Sequence, residues 1–209
     1  MTTNRILLAS KSPRRHELLV KAGFDVTVIA SHAHTLRAFE GDEVQWPEES
    51  PEDYVERTAL TKFGEGLAQR DALGLGSNAV VLAADTVVSL DGVVLGKPKD
   101  THEARSFLER LSGKTHEVRT AVVVGISQEQ ALSTVQTSLV TFKPLTDAEI
   151  EAYIRTEEPF DKAGGYGIQG LGGLFITHLE GSFTGVMGLP IYETTALLKS
   201  FGVASAIFL

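Results

Sequence analysis

Apolar positions along this chain fall into short segments whose period switches repeatedly between that of a strand and that of a helix. Arg5–Ala9 is an apolar run that predicts a strand, and it leads straight into Ser10-Lys11-Ser12-Pro13-Arg14-Arg15. Ser12 before Pro13 predicts a helix start, because a serine hydroxyl caps free amides and proline suits the first helical position. Leu18, Leu19 and Ala22 give that helix an apolar side, and Gly23 is its natural stop. Asp25–Ala30 predicts a strand. Residues 31–49 are polar, acidic and without a period, which predicts an exposed loop in which Trp46 packs locally. Ser50-Pro51-Glu52-Asp53 predicts the next helix start, with Val55, Ala59, Leu60, Phe63 and Leu67 recurring at helical spacing to form its buried face.

Ala79–Ala84 is a continuous apolar run ending at Asp85, the pattern of a strand covered on both faces. Val87–Leu90, Asp91-Gly92 and Val93–Leu95 predict a hairpin, since Asp-Gly tolerates the positive φ of a type I′ turn. Asp100 predicts a helix cap, with Ala104, Phe107, Leu108 and Leu111 inside and Gly113 as the stop. Two long strands, Thr115–Ile126 and Ala131–Phe142, flank the polar Ser127–Gln130. Thr146 with Glu149 predicts a further capped helix, Leu174–Leu179 a strand, and Pro190 a terminal helix reaching Phe201. Interleaved helices and strands indicate an α/β fold, and at least two hairpins make its sheet mixed. Neither a repeat nor a long linker divides the chain, so residues 1–209 are expected to form one domain.

The chain carries a formal charge of −8, with 43% hydrophobic and 22% charged residues, which excludes a disordered chain. An acidic protein without a basic stripe is a poor partner for duplex nucleic acid or an anionic membrane. No apolar run approaches the ~20 residues that span a bilayer, and the polar Met1–Arg5 gives no sign of a cleaved signal. The absence of cysteine excludes a disulfide framework, a thiolate metal site and a thiol nucleophile. A cytoplasmic location is expected.

Four polar constellations lie at the ends of apolar elements, where α/β sheets tend to bind ligands. In the first, Ser10, Ser12, Arg14 and Arg15 sit at a strand end and helix start. Free amides and guanidinium groups there favour phosphate oxygens, although a capped helix with solvated arginines has the same sequence. The second is Asp85-Thr86: a carboxylate ending a buried strand binds a metal, transfers a proton or merely caps a local turn. The third, Gly96-Lys97-Pro98, lacks the spacing of a phosphate loop, as does Gly113-Lys114-Thr115, so Lys97 is either a point charge for a phosphate or a surface lysine. The fourth runs from Asp161-Lys162 to Gln169-Gly170. It matches a dinucleotide G-x-G-x-x-G, but no strand precedes it. Nine glycines from Gly164 to Gly188 suggest instead either a backbone that approaches a ligand closely or a glycine-rich turn region. His32 and His34, two apart, permit metal binding or are plain loop residues.

Taken in order, Ser10-x-Ser12-Pro13-Arg14-Arg15, Ala84-Asp85-Thr86, Gly96-Lys97-Pro98, Leu111-Ser112-Gly113-Lys114-Thr115-His116, Asp161-Lys162-Ala163-Gly164 through Gly170, and Gly188-Leu189-Pro190 closely resemble the Maf family of septum formation inhibitor proteins, nucleoside triphosphate pyrophosphatases. The resemblance runs from Leu7 to Phe201. It implies a mixed central sheet flanked by helices, with two lobes around a deep cleft, similar to inosine triphosphate pyrophosphatases. It also implies a divalent cation, Mg²⁺ or Mn²⁺, a homodimer, and cleavage of a nucleoside triphosphate to the monophosphate and pyrophosphate. By the same resemblance Asp85 is the catalytic carboxylate and a metal ligand. Arg14, Thr86 and Gln169 set nucleotide choice, in the branch that takes dTTP and UTP, and Lys62 stands near the cleft. Arg15, Lys97 and Lys162 are further cations in the motif segments, suited to a triphosphate.

The chain departs from the family after its second predicted strand, where glutamates are usual. It has Ser31-His32-Ala33-His34-Thr35 there, so that His32 becomes a candidate metal ligand. That departure keeps a second expectation open, a nucleotide-binding regulator of cell division with little hydrolysis.

Overall fold

A computed structural model describes residues 3–30 and 45–208. Its elements are β1 (Arg5–Leu8), α1 (Pro13–Lys21), β2 (Asp25–Val28), α2 (Pro51–Ala72), β3 (Val81–Leu90), β4 (Val93–Leu95), α3 (Thr101–Leu111), β5 (Thr115–Gly125), β6 (Ala131–Phe142), α4 (Asp147–Ile154), β7 (Ile176–Glu180), α5 (Phe183–Val186) and α6 (Ile191–Ser200). The helix starts use the caps that the sequence predicts. Ser12 accepts from the Arg15 amide at 3.4 Å, Ser50 from Asp53 at 3.1 Å and Asp100 from Glu103 at 2.8 Å. Thr146 and Glu149 form a complete capping box. Asp91 and Gly92 both take positive φ, 52° and 78°, and close the β3–β4 hairpin in two residues.

The seven strands form a mixed sheet in the order β2-β1-β3-β5-β6-β7, with β4 also paired to β3. β1 runs parallel to β2 and β3, and every other pairing is antiparallel. Alternate residues of β3 feed different apolar clusters. Val81, Ala83 and Val87 pack under α2 with Val55, Ala59, Phe63 and Leu67. On the opposite face Leu82 and Ala84 join α1 and α6 through Leu18, Leu19 and Leu198. Val88 and Leu90, further along that same face, join α3 and α4 through Leu108, Leu111 and Ile150.

Several expectations change. The apolar run does not stop at Asp85: β3 is one ten-residue strand in which Asp85 pairs with Ala121 and Thr86 with Thr120. The ladder continues because both polar side chains find partners inside the protein, as described below. Leu60 is 46% exposed and lies off the buried face of α2. The last strand starts at Ile176, since the preceding residues form a 3-10 turn (Leu171–Phe175) that leaves Leu174 exposed. Within the stretch expected to be an exposed loop, residues 31–44 lie outside the described residues. Glu49 is not solvated there: it receives Arg57 Nε at 2.6 Å and Nη2 at 2.9 Å, and the Arg57 guanidinium lies 3.9 Å from the Trp46 ring centroid.

One close approach sets the distance of α2 from the sheet. A Cβ on Gly66 would lie 2.5 Å from the Ala9 Cβ and 2.9 Å from Val81 Cγ1. Thr58, Lys62 and Gly66 follow each other at four-residue steps, so the helical stripe that touches the sheet at Gly66 also carries two polar side chains toward β3. Gly66→Ala is therefore expected to lower stability by about 1–3 kcal/mol through overpacking. The same change on an open helix surface would raise it by roughly 0.5–1 kcal/mol. Urea unfolding checks the sign, and a gain in stability would show that α2 is not held at this distance.

Candidate active site

The side of β3 away from β5 is shared by two strands that do not meet. The last ladder bond of β1 runs from the Ala9 amide to the Leu82 carbonyl at 2.8 Å, and β4 begins its pairing at Val88. Between them, among the described residues, 83–87 have β5 on one side and no strand on the other. A cleft of about 710 Å³ opens at this gap, bordered by the β1–α1 junction, α2, the end of β4 and the glycine-rich segment before β7. Such a volume suits a small organic ligand. Among the described residues, six lysine or arginine side chains and three carboxylates line it, a net positive lining in a chain whose overall charge is −8.

Asp85 stands at its centre with both carboxylate oxygens engaged. Lys62 Nζ donates to Oδ1 at 2.7 Å and Thr58 Oγ1 to Oδ2 at 2.6 Å. The Thr58 hydroxyl also lies 3.0 Å from the carbonyls of Tyr54 and Val55, but its single proton serves one acceptor, and Asp85 is the nearest. The Lys62 and Asp85 side chains are only 13% and 14% exposed, so the carboxylate is fixed in place by α2.

On the opposite face of the sheet a directed chain of hydrogen bonds fixes Arg15, which is 9% exposed. Its Nε donates to the Gly188 carbonyl at 2.8 Å, Nη1 to Ser10 Oγ at 3.1 Å and Nη2 to Thr86 Oγ1 at 3.1 Å. Thr120 donates to the Gly185 carbonyl at 2.8 Å, so in the 2.9 Å contact between the two threonines Thr86 is the donor. The Thr86 hydroxyl is thus spent inside the protein, and Thr86 acts on the cleft by holding Arg15. Ser10 likewise accepts from Arg15 and from the Ser12 amide, while Ser12 caps α1.

Arg14 meets Asp161 at 3.5 Å. Lys162 donates to Asp161 and, at 2.8 Å, to the Glu158 carbonyl. Lys97 is exposed at the cleft rim. Gln169 is exposed into the cleft and has no hydrogen-bond partner among the described residues. The glycines around it approach the protein's own side chains. A Cβ on Gly170 would overlap the Glu158 carboxylate, and one on Gly172 would lie 2.8 Å from the Tyr153 hydroxyl. Burial opposes charge on Glu158, yet the amides of Gly172 and Leu171, the Tyr153 hydroxyl and Lys162 hold its carboxyl below the ordinary range. Tyr166, deep in the cleft wall, shares a 2.7 Å hydrogen bond with His116, whose pKa burial pushes down to about 4.

Asp85, Arg14, Thr86, Gln169, Ser10, Ser12, Arg15, Lys62, Lys97 and Lys162 all line this one cleft. His32 lies outside the described residues. Thr58, Thr120, Tyr153 and Glu158 were not among the expected site residues. The four-residue step from Thr58 to Lys62 is a usable signal for the first, whereas the others depend on tertiary contacts that leave no pattern in the chain.

A mixed sheet that opens over a cationic cleft, with Asp85 fixed beside it, defines a protein suited to hold a small anionic ligand. The chain belongs to the family described as Maf-like protein, whose model matches residues 5–201. It is 49% identical to a dTTP/UTP pyrophosphatase of Pseudoalteromonas translucida over 95% of this chain and 98% of that one. A dTTP/UTP pyrophosphatase of Pasteurella multocida is 47% identical over 97% and 98% of the two chains, and a nucleoside triphosphate pyrophosphatase of Haemophilus ducreyi 48% identical over 95% and 96%. Among the described residues no helix is long and apolar enough to cross a membrane.

The buried His116 makes stability pH-dependent in a defined direction. Its folded pKa of about 4 lies below its usual 6.5, so the unfolded chain binds the proton first as pH falls. The stability it allows is complete above pH ~6.5 and is lost toward pH 4, by about 3 kcal/mol at 1.36 kcal/mol per pKa unit. Unfolding by urea between pH 7 and pH 4.5 checks this. His116→Gln should flatten that part of the pH dependence, and an equally steep loss in the variant would exclude His116 as its source.

Proposed function

We propose that this protein is a nucleoside triphosphate pyrophosphatase that prefers dTTP and UTP and yields the monophosphate and pyrophosphate. One juxtaposition supports this reading most: a fixed carboxylate, the capped start of α1 and the cations Arg14, Arg15, Lys62, Lys97 and Lys162 border a gap in the sheet. The names of relatives nearly half identical over almost the whole chain support the same activity.

In this reading the Arg14 amide at the start of α1 and the cations receive the triphosphate oxygens, which carry most of the charge to be neutralised. Asp85 orients a water and takes its proton as the anhydride between the α and β phosphates breaks. Lys62 and Thr58 keep the Asp85 carboxylate aimed. A hard divalent cation such as Mg²⁺ or Mn²⁺ fits the oxygen donors of Asp85, each of which keeps lone-pair capacity beyond its one contact. Phosphate oxygens and water are the further ligands that such an ion commonly takes. When bound, the ion supplies neutralising charge and holds the phosphates in register. His32 as an additional ligand remains part of the proposal, as do a homodimer and a cytoplasmic location, all three on the family resemblance or the sequence alone.

Gln169 presents both a donor and an acceptor, the pair that a pyrimidine imide edge requires, and Thr86 with Arg14 contributes through the neighbouring guanidinium groups. Pyrophosphate release over a nucleotide panel with Mg²⁺, Mn²⁺ and Co²⁺ tests the activity, with faster turnover expected on dTTP and UTP than on purine triphosphates. Nucleotide binding without release on any of them would favour the regulatory reading instead. Asp85→Asn should lower kcat by about 10²-fold or more while most nucleotide affinity survives. Retention of most of kcat would remove Asp85 from the mechanism. Gln169→Glu deletes the donor and adds a charge, so the preference for pyrimidines should weaken. An equal loss on every nucleotide would contradict the role given to Gln169.

A further inference from the structure

Gln169 is held on both sides by one pair of side chains that does not include it. On its N-terminal side the Gly167 amide donates to the Tyr153 hydroxyl at 3.3 Å. On its C-terminal side the Leu171 amide donates to Glu158 Oε2 at 2.9 Å and the Gly172 amide to Oε1 at 3.1 Å. The pair is closed by the Tyr153 hydroxyl, which donates to Glu158 Oε1 at 2.9 Å. A carboxylate is the one side chain that accepts from two adjacent amides and a phenol at once. Glycine at 170 and 172 is what allows the backbone to come this near, since a Cβ at either position would run into Glu158 or Tyr153. Tyr153 is itself 3% exposed and packed in the α3–α4 cluster, so the anchor belongs to the rigid part of the fold.

We infer that Glu158 is a positioning residue for nucleobase selection: with Tyr153 it fixes the backbone on either side of Gln169 and so aims the Gln169 amide at the base without touching the base itself. This rests on the role proposed for Gln169. A bland anchor would predict something else. If Glu158 only kept the segment folded, its loss would lower stability or slow all nucleotides alike. A positioning role changes the ratio between nucleotides, because only contacts to the base depend on where Gln169 points.

Glu158→Gln is nearly isosteric but turns one acceptor into a donor facing backbone amides, which breaks one of the two anchors. For the metal-loaded protein, KM for dTTP and UTP should rise about tenfold with kcat within about twofold, and the pyrimidine-to-purine ratio of kcat/KM should fall by a similar factor. Tyr153→Phe, which keeps the packing and removes only the hydroxyl, should shift the same ratio by about threefold, and it carries the test if Glu158→Gln does not fold. Gln169→Ala sets the reference, and adding Glu158→Gln to it should lower the ratio no further. If Gln169→Ala lowers the ratio but neither Glu158→Gln nor Tyr153→Phe does, the positioning role is overturned while the reading of Gln169 stands. If Gln169→Ala leaves the ratio unchanged, that reading fails and the positioning role falls with it.

Discussion

The site depends on an interruption in the sheet. β3 is paired from Val81 to Ser89 with β5, yet on its other side β1 stops opposite Leu82 and β4 starts only opposite Val88. Among the described residues no strand occupies that gap, which leaves a backbone edge and two residues, Asp85 and Thr86, bordering the cleft. Because strand residues alternate, those neighbours point to opposite faces. One is met by α2, the other by α1 and β5. The two halves of the site are therefore built by different layers of the protein and brought together by a single strand.

Charge inside this gap is managed by fixed partners. The Lys62–Asp85 pair is mostly buried, and such pairs add little net stability because desolvation offsets their attraction. What the pair contributes is geometry: Lys62 and Thr58 reach the two oxygens from one helical stripe whose distance to the sheet is set at Gly66. Arg15 is held by oxygens of Ser10, Thr86 and Gly188, so its position survives whether or not an anion is present. Arg14, Lys97 and Gln169 sit nearer the opening, where they are able to respond to a ligand.

Much of the fold could be read from local signals because the responsible physics is local. Ser12-Pro13, Ser50-Pro51, Asp100 and Thr146 cap helices through contacts three residues away, and Asp91-Gly92 turns a hairpin by its own dihedral preference. The apolar pattern puts Asp85 at a strand end because a carboxylate inside an apolar run looks like a stop. It is tolerated in mid-strand through Thr58 and Lys62, which lie 27 and 23 residues away in sequence. The glycine-rich segment was legible as irregular backbone, but not as backbone folded onto Glu158 and Tyr153. The threonine chain from Thr86 through Thr120 to Gly185 is set by strand register and is invisible before the pairing is known.

The most direct test of the account is the position of a dTTP analogue with a non-hydrolysable link between the α and β phosphates, located by crystallography of the protein with Mg²⁺. The account predicts the triphosphate in the gap between β1 and β4, its α–β link beside Asp85 and its base against Gln169. A nucleotide seated elsewhere, or one in the cleft with its base and phosphates reversed, would contradict it.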